Sequence, residues 1–183
     1  MATFRRSTTP GATYFFTLNT YGRQRVLTEE PFYHALKNAM RDVKAKHPFI
    51  TNAFVVLPDH MHWLWTLPPG DADYSRRWSM IKRLVSQATS AALEKRLSAS
   101  RRTRGELGLW QRRFWEHQIR DDLDFERHAN YIHWNPVKHG YAARVADWPY
   151  SSFARFVARG VYPLDWAGVM RADEYQGGFG EAV

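Results

Sequence analysis

Two histidines separated by one residue, His60 and His62, are the residues whose types and spacing most directly indicate chemistry. They lie in an apolar run, and side chains alternate between the two faces of an extended strand. Both imidazoles should therefore point to one face, while Met61 points to a core on the other. Neutral imidazole is the commonest metal ligand in proteins, and two on one face need only a third ligand to hold a divalent ion. Histidine pairs of this kind also occur without a metal, so the pair alone leaves a structural role open.

A second candidate pair, Tyr131 and Asn135, lies in a segment with helical periodicity. Residues four apart project from the same side of a helix, so the two side chains lie together if the helix persists to Asn135. Pro136 predicts that the helix ends or kinks directly afterwards. A tyrosine at a helix edge is usually a packing residue with a hydrated hydroxyl, and it needs further polar neighbours to act as a nucleophile.

The elements that must position these residues follow from hydrophobic periodicity and from turn residues. Strands are predicted at 13–20, 49–57, 60–67 and 110–119, and helices at 28–47, 75–97 and 122–135, with Ser75 as the cap of the second helix. The order strand, helix, strand, strand, helix, strand is that of a ferredoxin-like split βαβ fold. We therefore expect an α+β protein with an antiparallel sheet, helices on one face and one further helix appended.

The length of 183 residues, with 44% hydrophobic content, predicts one globular domain with additions. We expect a basic N-terminal arm at 1–12, the main domain at 13–140 and a C-terminal extension at 141–183. The first ten residues lack an apolar signal segment, and no window approaches 18 apolar residues, so a cytoplasmic protein without a membrane partner is expected. The absence of cysteine excludes disulfides and thiol nucleophiles and leaves only nitrogen and oxygen ligands for a metal.

An excess of 26 lysines and arginines over 18 acidic residues gives a formal charge of +8, which favours a polyanionic partner such as nucleic acid. Cationic side chains near the start of the second helix oppose its dipole, which is easier to understand if phosphate binds there. A solvated basic face explains the same residues equally well. The candidate DNA contacts are Arg5, Arg6, Arg76, Arg77, Lys82, Arg83, Arg112, Arg113 and Lys138.

Four motifs in order along the chain resemble the IS200-like single-tyrosine transposases, and most closely their branch of REP-associated tyrosine transposases. The motifs are His60-Met61-His62 after Val-Val-Leu-Pro, WQRRFWEH at 110–117, YIHWNPVKHG at 131–140 and WPYSSF at 148–153. The resemblance runs from about Tyr14 to Gly168. It implies a ferredoxin-like fold of the HUH endonuclease type.

The resemblance also implies a function and a set of site residues. Tyr131 matches the nucleophile of the family, and His60, His62 and Asn135 match its ligands for a divalent metal, Mg or Mn. The implied enzyme cuts and rejoins single-stranded DNA beside hairpin elements of the REP type, through a 5′-phosphotyrosine and without an organic cofactor. The branch resembles monomeric enzymes, although a dimer is possible in related proteins. Asn135 stands where the broader group often has Gln, and this shorter amide requires a closer approach of its helix.

Two other functions are compatible with the same residues. A noncatalytic nucleic-acid-binding module would bind DNA or RNA through a ferredoxin-like sheet and would be unaffected by Tyr131→Phe. A metal-dependent nuclease that activates water would turn over repeatedly without a covalent adduct. The nucleophile therefore distinguishes all three functions.

Overall fold

A four-stranded antiparallel sheet organises the residues that the computed structural model describes, which are 7–96 and 108–167. The strands are β1 (Thr13–Asn19), β2 (Ile50–Val56), β3 (His60–Thr66) and β4 (Trp115–Gln118), in the spatial order β2-β3-β1-β4. Along the chain, helix α1 (Glu30–Lys46) connects β1 to β2, and α2 (Tyr74–Glu94) connects β3 to β4. The predicted ferredoxin-like arrangement is confirmed.

Each face of the sheet packs against a different helical layer. The first face carries Tyr14, Phe16, Met61 and Trp65 and forms the larger core with α1 and α2. Met61 is fully buried there, as the alternation of strand side chains predicts. The second face carries Phe15, Ala53, Val55 and Leu64, which pack against helix α3 (Asp122–Lys138). The appended helix thus covers the face opposite to α1 and α2.

The pairing register places the histidines at one end of the second face. His62 lies opposite Thr17, and His60 lies opposite Asn19 at the last pair of the β1–β3 ladder. Because β1 and β3 are the two central strands, both histidines are flanked by other elements. The register therefore decides which β1 side chains can support the imidazoles.

The starts of α2 and β4 differ from the sequence prediction. Helix α2 is capped by Asp73, whose side chain accepts a hydrogen bond from Arg76 N at 3.0 Å, so the prediction of Ser75 as the cap is wrong. Strand β4 begins at Trp115 rather than Trp110, because Trp110 forms only an isolated bridge with Thr20. The predicted end of α2 at 97 lies outside the described residues.

Helix α3 continues two residues beyond Pro136 instead of ending before it. A proline removes one backbone N–H, but the bonds on its C-terminal side can still form. His139 N donates to Asn135 O at 3.0 Å, and Tyr141 N donates to Pro136 O at 2.8 Å. The helix therefore persists through Asn135, which the proposed pairing of Tyr131 with Asn135 requires.

The described part of the C-terminal extension lies along the outer edge of β2. Val56 N donates to Tyr150 O at 2.8 Å, and Ser152 N donates to Phe54 O at 2.9 Å. The short helix α4 (Phe153–Ala158) follows. The extension thus covers an edge that would otherwise expose backbone hydrogen-bonding groups. The predicted boundary at residue 140 stays a prediction.

No helix within residues 7–96 and 108–167 is both long enough and apolar enough to cross a membrane.

Candidate active site

The two histidines of β3 share one face, as predicted, and both side chains are buried. His60 is 1% exposed and His62 is 0% exposed. Their ring centroids lie 5.1 Å apart. Two imidazoles are therefore held close together at the end of the sheet face that packs against α3.

A hydrogen bond at Nδ1 fixes the orientation of each imidazole. His60 Nδ1 donates to Asp59 Oδ1 at 2.7 Å, and His62 Nδ1 lies 2.9 Å from Thr17 Oγ1. Arg23 Nε bonds the other oxygen of Asp59 at 3.0 Å. Partners of this kind orient metal-binding histidines and leave Nε2 as the ligand nitrogen.

Asp59 is ionised at neutral pH. Burial opposes its ionisation, but the hydrogen bond with His60 and the positive charge of Arg23 outweigh burial and lower the pKa of the carboxyl. A carboxylate at this position fixes the Nδ1–H tautomer of His60. Asp59 is therefore a positioning residue and not only a residue of the Pro-Asp turn.

Tyr131 projects from α3 directly onto this histidine pair. Its side chain is 0% exposed, and its ring centroid lies 5.2 Å from that of His62. Lys138 Nζ donates a hydrogen bond to the Tyr131 hydroxyl at 3.2 Å and lies 4.8 Å from the centre of the ring. The phenol oxygen is thus in direct contact with a cation.

Asn135 is buried one helical turn beyond Tyr131, at the end of α3 that lies near His60. Its exposure is 0%. The residue that caps this end, His139, places its ring centroid 5.1 Å from that of His60. The structure therefore brings Tyr131, Asn135 and the two histidines to the same end of the sheet, on elements that are distant in sequence.

A separate cluster of His117, Asp124 and His128 has metal-ligating atoms within 4.8 Å of one another. His117 Nε2 lies 2.8 Å from Asp124 Oδ2, and Arg120 Nε donates to the same oxygen at 3.0 Å. His128 Nδ1 donates to the backbone oxygen of Asp124 at 2.7 Å. Hydrogen bonds within the protein thus already engage the Asp124 carboxylate, and the cluster joins the start of α3 to β4.

The pKa values of Asp124 and His128 in this cluster are both lowered. Burial opposes ionisation of Asp124, but the hydrogen bonds with Arg120 and His117 outweigh it, so the pKa of Asp124 is far below its usual value. Burial lowers the pKa of His128 to about 4, which keeps that imidazole neutral at pH 7.

The predicted DNA contacts fall into several groups. Arg76, Arg83, Arg112 and Arg113 are exposed. Lys82 Nζ donates to the backbone oxygens of Gln111 and Arg112 and so ties α2 to the segment that precedes β4.

Arg77 differs from the other cations because it is 2% exposed. It donates to both carboxylate oxygens of Asp71 and to the backbone oxygens of His47, Pro48 and Asp73. Arg5 and Arg6 lie outside the described residues.

Several supporting residues are not evident from sequence reasoning. Thr17 supports His62 only because of the β1–β3 register, and Arg23 reaches Asp59 from a different loop. The contact of Lys138 with the Tyr131 hydroxyl depends on the helix continuing beyond Pro136. Adjacency to His60 is the one sequence signal that points to Asp59.

Comparison with known proteins agrees with this geometry. The family model described as "Transposase IS200 like" matches residues 8–135, which include both histidines, Tyr131 and Asn135. The chain belongs to the IS200-like transposase family. The predicted resemblance to this family is therefore confirmed.

The relatives of this transposase are similar over almost their whole length. The REP-associated tyrosine transposase of Escherichia coli K12 is 46% identical over 169 residues, which are 92% of each chain. A relative from Haemophilus influenzae is 40% identical over 168 residues, which are 92% of this chain and 94% of its own. A solved structure of a REP-associated tyrosine transposase bound to a REP hairpin has a TM-score of 0.83 and 44% identity, and it covers 100% of this chain and 99% of its own. The chain therefore belongs with the REP-associated tyrosine transposases, which are enzymes, and the predicted enzyme class is confirmed.

Proposed function

We propose that this transposase cuts and rejoins single-stranded DNA beside a hairpin, with Tyr131 as the nucleophile. The single observation that carries the proposal is the position of Tyr131. Its ring lies 5.2 Å from the ring of His62, and its hydroxyl accepts a hydrogen bond from Lys138. A buried phenol beside an imidazole and in contact with a cation is in the environment that a tyrosine nucleophile needs. The relative that is bound to a REP hairpin supports a hairpin of that type as the substrate.

We also propose that His60, His62 and Asn135 hold a divalent metal, Mg or Mn. The donor set fits such an ion, because two oriented imidazoles and an amide oxygen leave coordination positions for the oxygens of a phosphate. The hydrogen bonds of Asp59 and Thr17 at Nδ1 leave Nε2 of each histidine as the ligand atom. When bound, the metal supplies Lewis-acid polarisation of the scissile phosphate.

In the proposed reaction the Tyr131 oxygen forms a bond to phosphorus as the bond from phosphorus to the 3′-oxygen breaks. The products are a 5′-phosphotyrosine and a 3′-hydroxyl, because the phenol loses its proton to solvent and the 3′-oxygen takes a proton from solvent. Lys138 stabilises the phenolate, both when it attacks and when it leaves in the reverse step. The phosphotyrosine retains the free energy of the phosphodiester, so rejoining requires no nucleoside triphosphate.

We propose that one chain forms the whole site. Tyr131 and His62 of the same chain are already in ring contact, so a second chain is not needed to supply the nucleophile. Light scattering of the protein with and without hairpin DNA tests this proposal, which requires one protein chain per cleaved hairpin.

The proposed function is tested with fluorescent hairpin oligonucleotides, Mg²⁺ or Mn²⁺, and denaturing gels. Wild type should give a protein-linked DNA band that both Tyr131→Phe and His62→Ala abolish. Tyr21→Phe is a matched control, because Tyr21 is 41% exposed and lies outside the site. Cleavage that survives in Tyr131→Phe would instead support water as the nucleophile, and binding of the relative's REP hairpin without cleavage would support a binding module.

A further inference from the structure

A pocket of about 310 Å³ lies between α1 and the outer strand β2, on the face of the sheet opposite to Tyr131. Its apolar walls are formed by Leu36, Met40, Phe54, Val56 and Trp63. The rings of Phe54 and Trp63 stack at 4.7 Å between centroids, with 16° between their planes. Trp63 is 5% exposed, so the aromatic face available to a planar group in the pocket is mainly that of Phe54.

The charged side chains that line this pocket are cationic. Lys37, Arg41 and Lys44 from α1 are joined by Arg155 from α4. Among the described residues that line the pocket there is no Asp or Glu, although Asp42 bonds Arg41 Nε at 3.1 Å. A ligand of complementary charge is thus an anion.

Two lining residues also have hydrogen-bond donors without an acceptor. Trp63 Nε1 and Arg155 Nε are buried and have no hydrogen-bond partner among the described residues. Both groups can only donate. Both atoms are inaccessible to solvent, so a ligand in the pocket would accept hydrogen bonds from them only if the pocket wall shifts.

We infer that this pocket binds an unpaired nucleotide of the DNA substrate. A planar base fits the aromatic wall, and its phosphate fits Lys37, Arg41 and Lys44. Paired DNA does not meet these conditions, because its bases are stacked within the duplex and only its phosphates would reach the rim. The inference rests on the proposed function, because the DNA held in the pocket is the DNA that Tyr131 cuts.

The pocket and the proposed active site are linked through adjacent strand residues. Phe54 pairs with Trp63 in the β2–β3 ladder, and the next pair, Val55 with His62, points to the opposite face. A strand of DNA held at both sites would therefore pass from one face of the sheet to the other. Binding in the pocket would add to the affinity for DNA without touching the reacting phosphate.

The inference is tested by measuring affinity for two fluorescent hairpins without divalent metal, so that no cleavage occurs. One hairpin has a fully paired stem closed by an abasic linker, and the other has the same stem and linker with four added unpaired thymidines. The test variant is Lys37→Gln with Arg41→Gln and Lys44→Gln. The control variant removes three exposed cations outside the pocket, through Lys46→Gln, Lys95→Gln and Arg159→Gln.

The test variant should bind the hairpin with thymidines roughly fivefold more weakly than the control variant does, because base stacking and phosphate contacts are both lost. The two variants should bind the paired hairpin equally. Equal affinity of both variants for both hairpins, or tighter binding by the test variant, would overturn the inference.

A second measurement does not depend on stability changes in the variants. Unpaired 5-iodouridine replaces thymidine, and the crosslinked peptide is identified by mass spectrometry. We expect crosslinks to Tyr33, Phe54 or Trp63, whereas crosslinks confined to residues on the α3 face would refute the pocket. Loss of the covalent adduct in wild type would contradict the proposed function alone, because both pocket measurements are made without cleavage.

Discussion

The hydroxyl of Tyr131 and the ammonium of Lys138 are the pair of groups that most directly links structure to reaction. The 3.2 Å contact places a positive charge where negative charge develops when the phenol loses its proton. Lys138 was predicted from sequence as a DNA contact, and its contact with Tyr131 suggests a second role, beside the proposed nucleophile. The two roles have different consequences for rate and affinity.

Replacing Lys138 with Met should slow formation of the covalent adduct by roughly 100-fold, because removing one group that stabilises transition-state charge has effects of this size. Affinity for hairpin DNA should fall much less. Lys138→Arg keeps the charge and should restore part of the rate. Single-turnover kinetics measure the rate, and an equal loss of rate and affinity in Lys138→Met would favour DNA contact as its only role.

Asp59 should control metal affinity through His60. Asp59→Asn removes the carboxylate that accepts the hydrogen bond from His60 Nδ1. Loss of the hydrogen-bond partner of a metal-binding histidine weakens metal binding by about 10- to 100-fold. Calorimetric titration with Mn²⁺ measures the effect. Asp42→Asn is the control, because Asp42 is exposed and pairs with Arg41 far from the site. Unchanged Mn²⁺ affinity in Asp59→Asn would contradict the proposed metal site.

At the scale of elements, two polar clusters hold helices in place. The cluster of His117, Asp124 and His128 fixes the start of α3 against β4, and the ion pair of Arg77 with Asp71 fixes the start of α2. Neither cluster contains a residue of the proposed active site. Disruption of either cluster should therefore lower the free energy of unfolding more than it lowers the rate of DNA cleavage by the folded protein.

Stability should decrease as the pH falls from about 6.5 towards 4. His128 has a pKa of about 4 in the folded protein and about 6.5 when unfolded, so the unfolded chain binds the extra proton in this range. One such group contributes a slope of up to about 1.4 kcal/mol per pH unit. His128→Asn should reduce the slope by that amount in urea unfolding measured at several pH values. An identical slope in wild type and variant would show that His128 is not the group responsible.

Arg77 should contribute to stability rather than to DNA affinity. Arg77→Met leaves the partly exposed Asp71 carboxylate and three backbone oxygens without their shared donor, and a loss of buried hydrogen bonds of this kind costs about 1 to 3 kcal/mol. Arg76→Met provides a matched control, because Arg76 is the exposed neighbour in the same helix turn. The control should leave the free energy of unfolding within about 0.5 kcal/mol of wild type. Loss of DNA affinity in a folded Arg77→Met protein would contradict this assignment.

At the scale of the whole molecule, the net charge of +8 is the property that matters most for encounter with DNA. Exposed cations occur on α1, on α2 and in the segment before β4, so the charge is spread over several surfaces. Sequence-independent attraction to phosphate should therefore contribute to binding from more than one side. This contribution is distinguished from base contacts by its dependence on salt.

The affinity for hairpin DNA should fall linearly on a double-logarithmic plot against salt concentration. Each phosphate contact contributes a slope of roughly −0.7 for single strands and −0.9 for duplex DNA. Fluorescence anisotropy between about 50 and 300 mM salt measures this slope. We expect the affinity to fall by about one decade or more over this range. A flat response would contradict the view that the basic surface binds DNA.

The sequence by itself determined the elements and the identity of the residues that could react. Strand alternation put His60 and His62 on one face, and helical spacing put Asn135 on the same side as Tyr131, because both patterns depend on local backbone geometry. The same periodicities fixed the order of elements and hence the ferredoxin-like fold. The misplaced boundaries were the cap of α2, the end of α3 at Pro136 and the start of β4.

The tertiary structure alone decided which residues support that chemistry. Thr17 meets His62 because of the strand register, Arg23 meets Asp59 across a loop, and Lys138 reaches Tyr131 because α3 continues past Pro136. Burial separated Arg77 from its exposed neighbour Arg76, although the two are equivalent in charge and adjacent in sequence. Contacts of this kind join segments that are far apart in the chain. They depend on register, packing and side-chain direction together, which no local pattern encodes.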